Sequence, residues 1–319
     1  MDTNVESKLN FFPERTEMKP STAPETKRKQ LRQRLAEPGL IVAPGVFDMI
    51  SARIADRTGF DLLYMTGYGA VASYLGLPDA GLASYTDMVN RASAFAQGTN
   101  TPLIGDADTG YGGLLNVAHT VRGYEAGGVA GIQLEDQEFP KKCGHTPGRR
   151  VIAMQDMANK IRVACEARTS PDFLIVARTD ARTTLGLDEA LRRMEAYERA
   201  GADILFVESP ETPEEMARIA KHFDKPVLIN NVEGGRTPLL GREELTQMGF
   251  KLAIFPGTAF LAAGYALERA YGALRKDGSS RAIAGELYEF EAFSRLMGFE
   301  AVWEFDRAHA EIQPADKPG

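Results

Sequence analysis

The chain has 319 residues, 44% hydrophobic and 25% charged, with a formal net charge of −7, the composition of an ordinary soluble globular protein. An acidic balance with no long basic stripe argues against nucleic acid as the partner, and two cysteines, Cys143 and Cys165, are too few for a disulfide framework. No stretch reads as a transmembrane span or a signal peptide, so no membrane partner is expected and the cytoplasm is the expected location.

The first segment, 1–30, ends in MKPSTAPETKRKQ, is polar and lacks apolar periodicity, so it is expected to be a flexible arm. The tail IQPADKPG reads the same way. Between them, eight short apolar runs recur: GLIVAP (39–44), DLLYMT (61–66), PLIGDAD (102–108), GIQLED (131–136), FLIVARTD (173–180), DILFVES (203–209), PVLINN (226–231) and LAIFPG (252–257). Helical patterns separate them. GLDEALRRMEAYERAGAD places Leu187, Ala190, Leu191, Met194 and Tyr197 on one face and stops at Gly201. TPEEMARIAKHF opens with Thr212 as N-cap, Pro213 at the first helical position and Glu215 completing a capping box. Strands alternating with helices imply parallel pairing through right-handed crossovers. The expected fold is an α/β chain forming a (β/α)8 barrel of the TIM type over 31–277, with a helical extension and tail over 278–319; a doubly wound open sheet is the alternative.

Polar residues stand where the runs end: Thr66, Asp106 and Asp108, Glu135 and Asp136, Arg178 and Asp180, Glu208, Asn230 and Asn231. In a barrel those ends share one mouth, where active sites are built. Asp106 and Asp108 are two apart, so on a continuing strand both face the same way. Paired carboxylates repel unless a cation or proton intervenes. Hard oxygen ligands suit Mg²⁺ or Mn²⁺, with water and substrate filling the octahedron. Aspartates capping the next helix are the other reading of the motif. Glu135 adds a carboxylate suited to holding a metal-bound water.

FPKKCGHTPGRR (139–150) sets Cys143 beside Gly144, between Lys141, Lys142 and His145. Cationic neighbours lower a thiol's pKa and glycine admits the close approach of a ligand; a solvated basic loop is the plainer reading. Cys143 and His145 alone lack the third ligand a zinc site needs. GYGAVA fits G-x-G-x-x-A at Gly67, Gly69 and Ala72, but Asp87, the acid at the required spacing, sits in a helical pattern, which disfavours a dinucleotide site. A non-catalytic binding barrel would need neither the thiol, the paired aspartates nor the strand-end arginine.

With these residues in place, MTGYGAVASYLGLPDAG, GDADTGYGG, QLEDQEFPKKCGH, VARTDAR and NNVEGGRTPL together resemble the isocitrate lyase/phosphoenolpyruvate mutase superfamily, from about Gly39 to beyond Pro256. KKCGH is similar to the mobile catalytic loop of the lyase branch. FVESPE and NNVEGGRTPL resemble the dimethylmalate lyase, oxaloacetate hydrolase and petal death protein branch. The resemblance implies a carbon–carbon lyase that cleaves a small-molecule carboxylate of the 2-alkylmalate type to pyruvate, with oxaloacetate hydrolysis and 2-methylisocitrate cleavage as alternatives. It implies Mg²⁺ (or Mn²⁺) on Asp106 and Asp108, with Asp79 and Glu135 in support. By the same resemblance Tyr64, Thr66, Gly67 and Tyr68 would receive the 2-oxoacid portion, and Arg178, Glu208 and Asn230 would complete the pocket. Cys143 would be the general acid, Lys141, Gly144 and His145 would shape its loop, and the assembly would be a homotetramer. Tricarboxylate-cleaving relatives carry an arginine after the eighth strand, where this chain has Leu261. That leaves Arg236 as the candidate for a third carboxylate, and Leu261 as apolar surface for an alkyl group.

Overall fold

The computed structural model describes residues 22–146 and 148–309; the tail 312–319 and most of the expected arm fall outside them. The eight runs form strands β1 (Ile41–Val46), β2 (Leu63–Met65), β3 (Leu103–Asp106), β4 (Gly131–Glu135), β5 (Leu174–Thr179), β6 (Ile204–Val207), β7 (Val227–Asn230) and β8 (Leu252–Phe255). Each pairs in parallel with the next, and β8 returns to β1 with Ile41 opposite Leu252, which closes the barrel and removes the open-sheet alternative.

Strand alternation explains both core and mouth. Inward-pointing Ile41, Ala43, Tyr64, Ile104, Leu174, Val176, Ile204, Phe206, Leu228, Leu252 and Ile254 fill the barrel. Each fully buried aliphatic side chain among them contributes about 1.5–3 kcal/mol. Advancing two residues along the same inward rows reaches Thr66, Asp106, Arg178, Glu208 and Asn230, and in β4 Gln133 leads to Glu135. The outward rows, including Leu63, Ile132, Ile175 and Leu205, meet the apolar stripes of the helices. In helix Leu187–Arg199, for example, Ala190, Leu191, Met194 and Tyr197 are buried. Helix Pro213–His222 starts as expected with Thr212 accepting from the Glu215 N–H at 3.2 Å. The capping box is not completed: the Glu215 carboxylate instead accepts from the Glu211 N–H and pairs with Arg182.

The expected arm needs correction within 24–30. Helix Pro24–Ala36 is regular, and Lys27, Arg28 and Leu31 in it are buried. Leu31 joins the cluster inside the barrel. Lys27 Nζ donates to the carbonyls of Ala96 and Thr99, and Arg28 donates to those of Glu125 and Val129. Burial by hydrogen bonds to carbonyls leaves no apolar period, so composition alone reads as solvated chain.

The described residues up to 266 form one compact unit, the barrel. The second unit holds, among the described residues, 267–309: the end of helix Thr258–Asp277, a 3-10 turn at Arg281–Glu286, and helices Phe290–Leu296 and Phe299–His309. No described helix is long and apolar enough to cross a membrane.

Candidate active site

The C-terminal strand ends surround a cavity lined by Tyr64, Thr66, Gly67, Tyr68, Asp79, Asp106, Cys143, Gly144, His145, Arg178, Glu208 and Asn230. Asp108, Glu135 and Lys141 do not line it but are tied to residues that do. Lys141 Nζ lies 2.6 Å from Asp79 Oδ1 and 2.7 Å from Asp108 Oδ1, and Glu135 Oε2 lies 3.2 Å from Arg178 Nη1.

The two aspartates meet by a different route from the expected one. Strand β3 ends at Asp106, and Asp108 takes a left-handed backbone, φ 49°, in a turn where its N–H donates to Asp106 Oδ1 at 3.0 Å. The motif's two carboxylates therefore approach through a tight turn, not through strand alternation. Burial, with Asp106 and Asp79 nearby and Lys141 opposing, pushes the Asp108 carboxyl up to about 7. Burial likewise holds the Glu135 carboxyl well above the usual range, against Arg178 and Lys141. Asp108 Oδ1 and Glu135 Oε2 are buried in ion pairs with Lys141 and Arg178, and Glu135 Oε1 is buried without a hydrogen-bond partner. Burial disfavours the Lys141 ammonium, yet Asp108, Glu135, Asp79 and Asp106 outweigh it and hold its pKa well above the ordinary lysine value. A cluster of hard carboxylate oxygens that already draws in the Lys141 ammonium suits a cation's charge. Among the described residues no three His, Cys, Asp or Glu side chains converge as a metal cage. Mg²⁺ typically takes only one or two carboxylates and keeps water or substrate oxygens elsewhere, so the donor set fits it.

Gly67 shows why the GYG motif is there. A Cβ at 67 would lie 2.5 Å from Asp106 Oδ2, and one at 69 would strike Phe47, Thr66 and Phe260 within 2.9 Å. Asp87 is the third residue of helix Tyr85–Gly98, and its carboxylate accepts from Ser84 N and Oγ. Both halves of the dinucleotide pattern thus have local packing or capping jobs.

Arg178 is held on three sides: its Nε and Nη2 donate to Asp180 at 2.9 Å each, and Glu135 and Glu208 lie 3.2 and 3.3 Å away. Tyr64 reaches across to Gln133, its hydroxyl donating to Oε1 at 2.8 Å.

Cys143, Gly144 and His145 of the KKCGH segment lie at the cavity. The Cys143 N–H donates to the Asp79 carbonyl at 3.1 Å, and Ser209 Oγ donates to the Gly144 carbonyl at 3.0 Å. Ser209 carries a left-handed φ of 59° that sets this contact. His145 Nδ1 accepts from the Arg236 N–H at 3.2 Å, and its Nε2 lies 3.2 Å from Asn230 Nδ2 and 3.5 Å from Glu208 Oε1. Burial lowers the His145 pKa, against Glu208, which keeps the ring neutral. The expectation of a lowered thiol pKa is overturned. Burial, with Asp79 and Glu208, raises the Cys143 thiol, against the His145 N–H and Arg178. Lys141 is committed to aspartates and Lys142 points to the Gly148 carbonyl, so neither lysine offsets the burial. Burial thus favours the neutral thiol over the thiolate.

The apolar wall was missed in the sequence. Val232, Ile254, Pro256, Gly257 and Phe260 complete the lining, whereas Leu261 does not line it and is 48% exposed. Phe260 packs on Tyr68 with ring centroids 5.4 Å apart. Continuing the inward row of β8 from Ile254 would have found Pro256; the turn into the following helix, which presents Phe260 in place of Leu261, has no such period. Arg236 does not line the cavity, and its guanidinium pairs with Glu211 at 3.2 Å.

Residues 31–275 match the family model described as phosphoenolpyruvate phosphomutase. The chain is 47% identical over 281 residues to 2,3-dimethylmalate lyase of Eubacterium barkeri, covering 88% of this chain and 97% of that one. It is 38% identical to 2-methylisocitrate lyase of Aeropyrum pernix (88% and 90% covered) and 38% identical to the petal death protein of Dianthus caryophyllus (92% and 93%). Among solved structures, oxaloacetate acetylhydrolase in complex with 3,3-difluorooxalacetate superposes with a TM-score of 0.84 at 38% identity, covering 90% of this chain and 98% of that one. Phosphonopyruvate hydrolase in complex with oxalate and Mg²⁺ superposes at 0.79 and 28% identity (91% and 99%).

Proposed function

Because the chain belongs to the phosphoenolpyruvate phosphomutase family of the isocitrate lyase/phosphoenolpyruvate mutase superfamily, we propose that it is a Mg²⁺-dependent carbon–carbon lyase cleaving a 2-hydroxy dicarboxylate. The substrate is of the 2-alkylmalate type, such as 2,3-dimethylmalate, and the products are pyruvate and a second carboxylate. The observation that carries the substrate class is the lining of the cavity: it holds one guanidinium, Arg178, together with an apolar wall of Val232, Ile254, Pro256 and Phe260. That arrangement suits two carboxylates and an alkyl group and leaves a third carboxylate unpaired.

Asp106 and Asp108 would hold the cation, with Asp79 and Glu135 around it, and Lys141 would yield its place between Asp79 and Asp108. When bound, the cation neutralises the hydroxyl and carboxylate oxygens of the 2-hydroxy acid and stabilises the developing charge. Thr66, Gly67 and Tyr68, at the start of helix Gly67–Leu75, receive the 2-oxoacid carboxylate; the helix N-terminus offers unsatisfied N–H groups there. Arg178, fixed by Asp180, stabilises the negative charge that grows as the C2–C3 bond breaks. Glu135, whose Oε1 has no hydrogen-bond partner while Oε2 pairs with Arg178, is suited to take up the hydroxyl proton. The carbon leaving as a carboxylate carries carbanion character and is protonated by the Cys143 thiol, with His145 and Gly144 holding the loop closed against water. An arm at the N-terminus, the barrel, and a C-terminal extension used in a homotetramer belong to the same reading. Tyr271, Phe290, Phe299, Trp303 and Phe305 are exposed in the second unit, as a self-associating surface requires. A cytoplasmic location also belongs to it.

The test is a panel with Mg²⁺: 2,3-dimethylmalate, other 2-alkylmalates, oxaloacetate, 2-methylisocitrate and isocitrate. We expect the alkylmalates to exceed the tricarboxylates in kcat/KM by roughly a thousandfold, because an unpaired buried carboxylate costs several kcal/mol. The likeness to oxaloacetate acetylhydrolase supports a second reading, hydrolysis at the same site, and oxaloacetate as the best substrate would establish it. A best rate on 2-methylisocitrate would overturn the dicarboxylate reading.

A further inference from the structure

Asp180 does not line the cavity, yet it is the point at which the Cys143 loop and Arg178 meet. The loop leaves and returns at one neck, where Gln137 bridges Val151, the Glu138 N–H donates to the Arg150 carbonyl and the Ile152 N–H donates to the Asp136 carbonyl. Arg149 sits just inside the returning side, with its side chain only 1% exposed. Its Nη1 donates to Asp180 Oδ1 at 2.6 Å and its Nη2 to Thr183 Oγ1 at 2.6 Å. The same Oδ1 accepts from Arg178 Nη2, and Oδ2 accepts from Arg178 Nε. Behind it, the Asp180 N–H donates to Asp136 Oδ1, while Asp136 Oδ2 accepts from the hydroxyls of Thr179 and Tyr197.

A carboxylate whose backbone is pinned has one soft coordinate left, the rotation of its oxygens. Arg149 on Oδ1 removes that freedom. The fork to Nε and Nη2 then sets the plane of the Arg178 guanidinium and leaves its Nη1 edge toward Glu135 and the cavity. We propose that Asp180 is a positioning residue that couples docking of the Cys143 loop, through Arg149, to the orientation of Arg178. With the loop docked, both guanidiniums share one carboxylate and Arg178 is aimed. With the neck displaced, the shared oxygen loses a partner and Arg178 loses its fixed plane. The placement of the proton donor and of the charge stabiliser is thereby a single event.

The proposal rests on the lyase reading for its kinetic consequence, but its test also uses binding. Oxalate with Mg²⁺ is the probe, titrated by calorimetry into the full chain, alongside kcat and KM on the best substrate of the panel. Arg149→Met and Asp180→Asn should each weaken oxalate binding and lower kcat by about 10–100-fold, the usual cost of losing a partner that orients a functional group. The double variant should be no worse than Asp180→Asn alone, because Arg149 acts through Asp180. Arg149→Lys, which keeps a cation at Oδ1, should recover most of the loss, which a stem holding only shape would not reproduce. Losses that multiply in the double variant, or Arg149→Met with wild-type binding and kcat, would overturn the coupling. If Asp180→Asn does not fold, equal losses in Arg149→Met and Arg149→Lys overturn it and recovery in the lysine variant upholds it. Wild-type inactivity on 2-hydroxy dicarboxylates would strike the lyase reading, while oxalate binding by the variants would still decide this one.

Discussion

Replacing Gly144 with alanine adds one methyl group at the place where the loop rests on the barrel. That Cβ would lie 2.4 Å from Arg178 Nη2, 2.7 Å from Glu208 Oε2 and 2.8 Å from Glu208 Cδ, where ordinary contact begins near 3.4 Å. About 1 Å of separation must therefore be found. Side-chain ends often give that much, but these two are fixed. Arg178 is forked onto Asp180, and Glu208 accepts from the Ser209 N–H at 2.7 Å and from Asn230 Nδ2 at 3.0 Å. The loop has to yield, carrying Cys143 away by a comparable distance. Misplacing a reacting group by about 1 Å costs on the order of a hundredfold, equivalent to about 2.7 kcal/mol of transition-state stabilisation. Gly144→Ala should thus lower kcat/KM about a hundredfold, leave the thermal midpoint within a few degrees of wild type, and make the loop more susceptible to limited proteolysis. Activity within threefold of wild type would show that the docked loop position is not the reactive one.

Cys143→Ser should lower kcat by about 10²–10⁴-fold, since a hydroxyl is a much weaker acid than a thiol, while oxalate binding changes by only a few-fold; near-normal turnover would return the loop to a solvated basic segment. The raised Asp108 carboxyl has a pH consequence with a definite sign. The folded, metal-free protein keeps a proton on it up to about 7, whereas the unfolded chain releases it near 4. Rising pH therefore removes stability across that window. Because Mg²⁺ requires the carboxylate, its gain in thermal midpoint should be larger at pH 8 than at pH 6; a gain independent of pH would remove Asp108 from the metal site. Arg236→Ala should leave kcat/KM for dicarboxylates within about threefold, since its guanidinium is engaged with Glu211; a large loss confined to substrate affinity would put Arg236 at the substrate.

The barrel was legible because each strand is an apolar run and six of the eight carry a polar residue two steps beyond the last core residue, as in Val176–Arg178 and Phe206–Glu208. The closure of β8 onto β1 followed from having eight such units. The carboxylates, the arginine and the cysteine were legible for the same reason, being unusual residue types at strand ends. What escaped had no period to announce it. Phe260 reaches the cavity from the first turn of helix Thr258–Asp277, and Asp108 approaches Asp106 through its own left-handed backbone. The thiol's pKa depends on where the lysines go, not on their adjacency in sequence. Asp180 stood in plain view in VARTDAR, two residues from Arg178, but its partner Arg149 comes from 31 residues earlier.

Helix Pro24–Ala36 begins seven residues before the stretch, 31–275, that matches the family model. A chain trimmed to those family limits would keep Leu31 in the barrel and discard the side chains that bring it there. The carbonyls of Ala96, Thr99, Glu125 and Val129 would lose the ammonium and guanidinium donors they now have. Boundaries drawn by family likeness would so cut the polar ties that seat this helix on the barrel, a loss of stability unrelated to the catalytic residues.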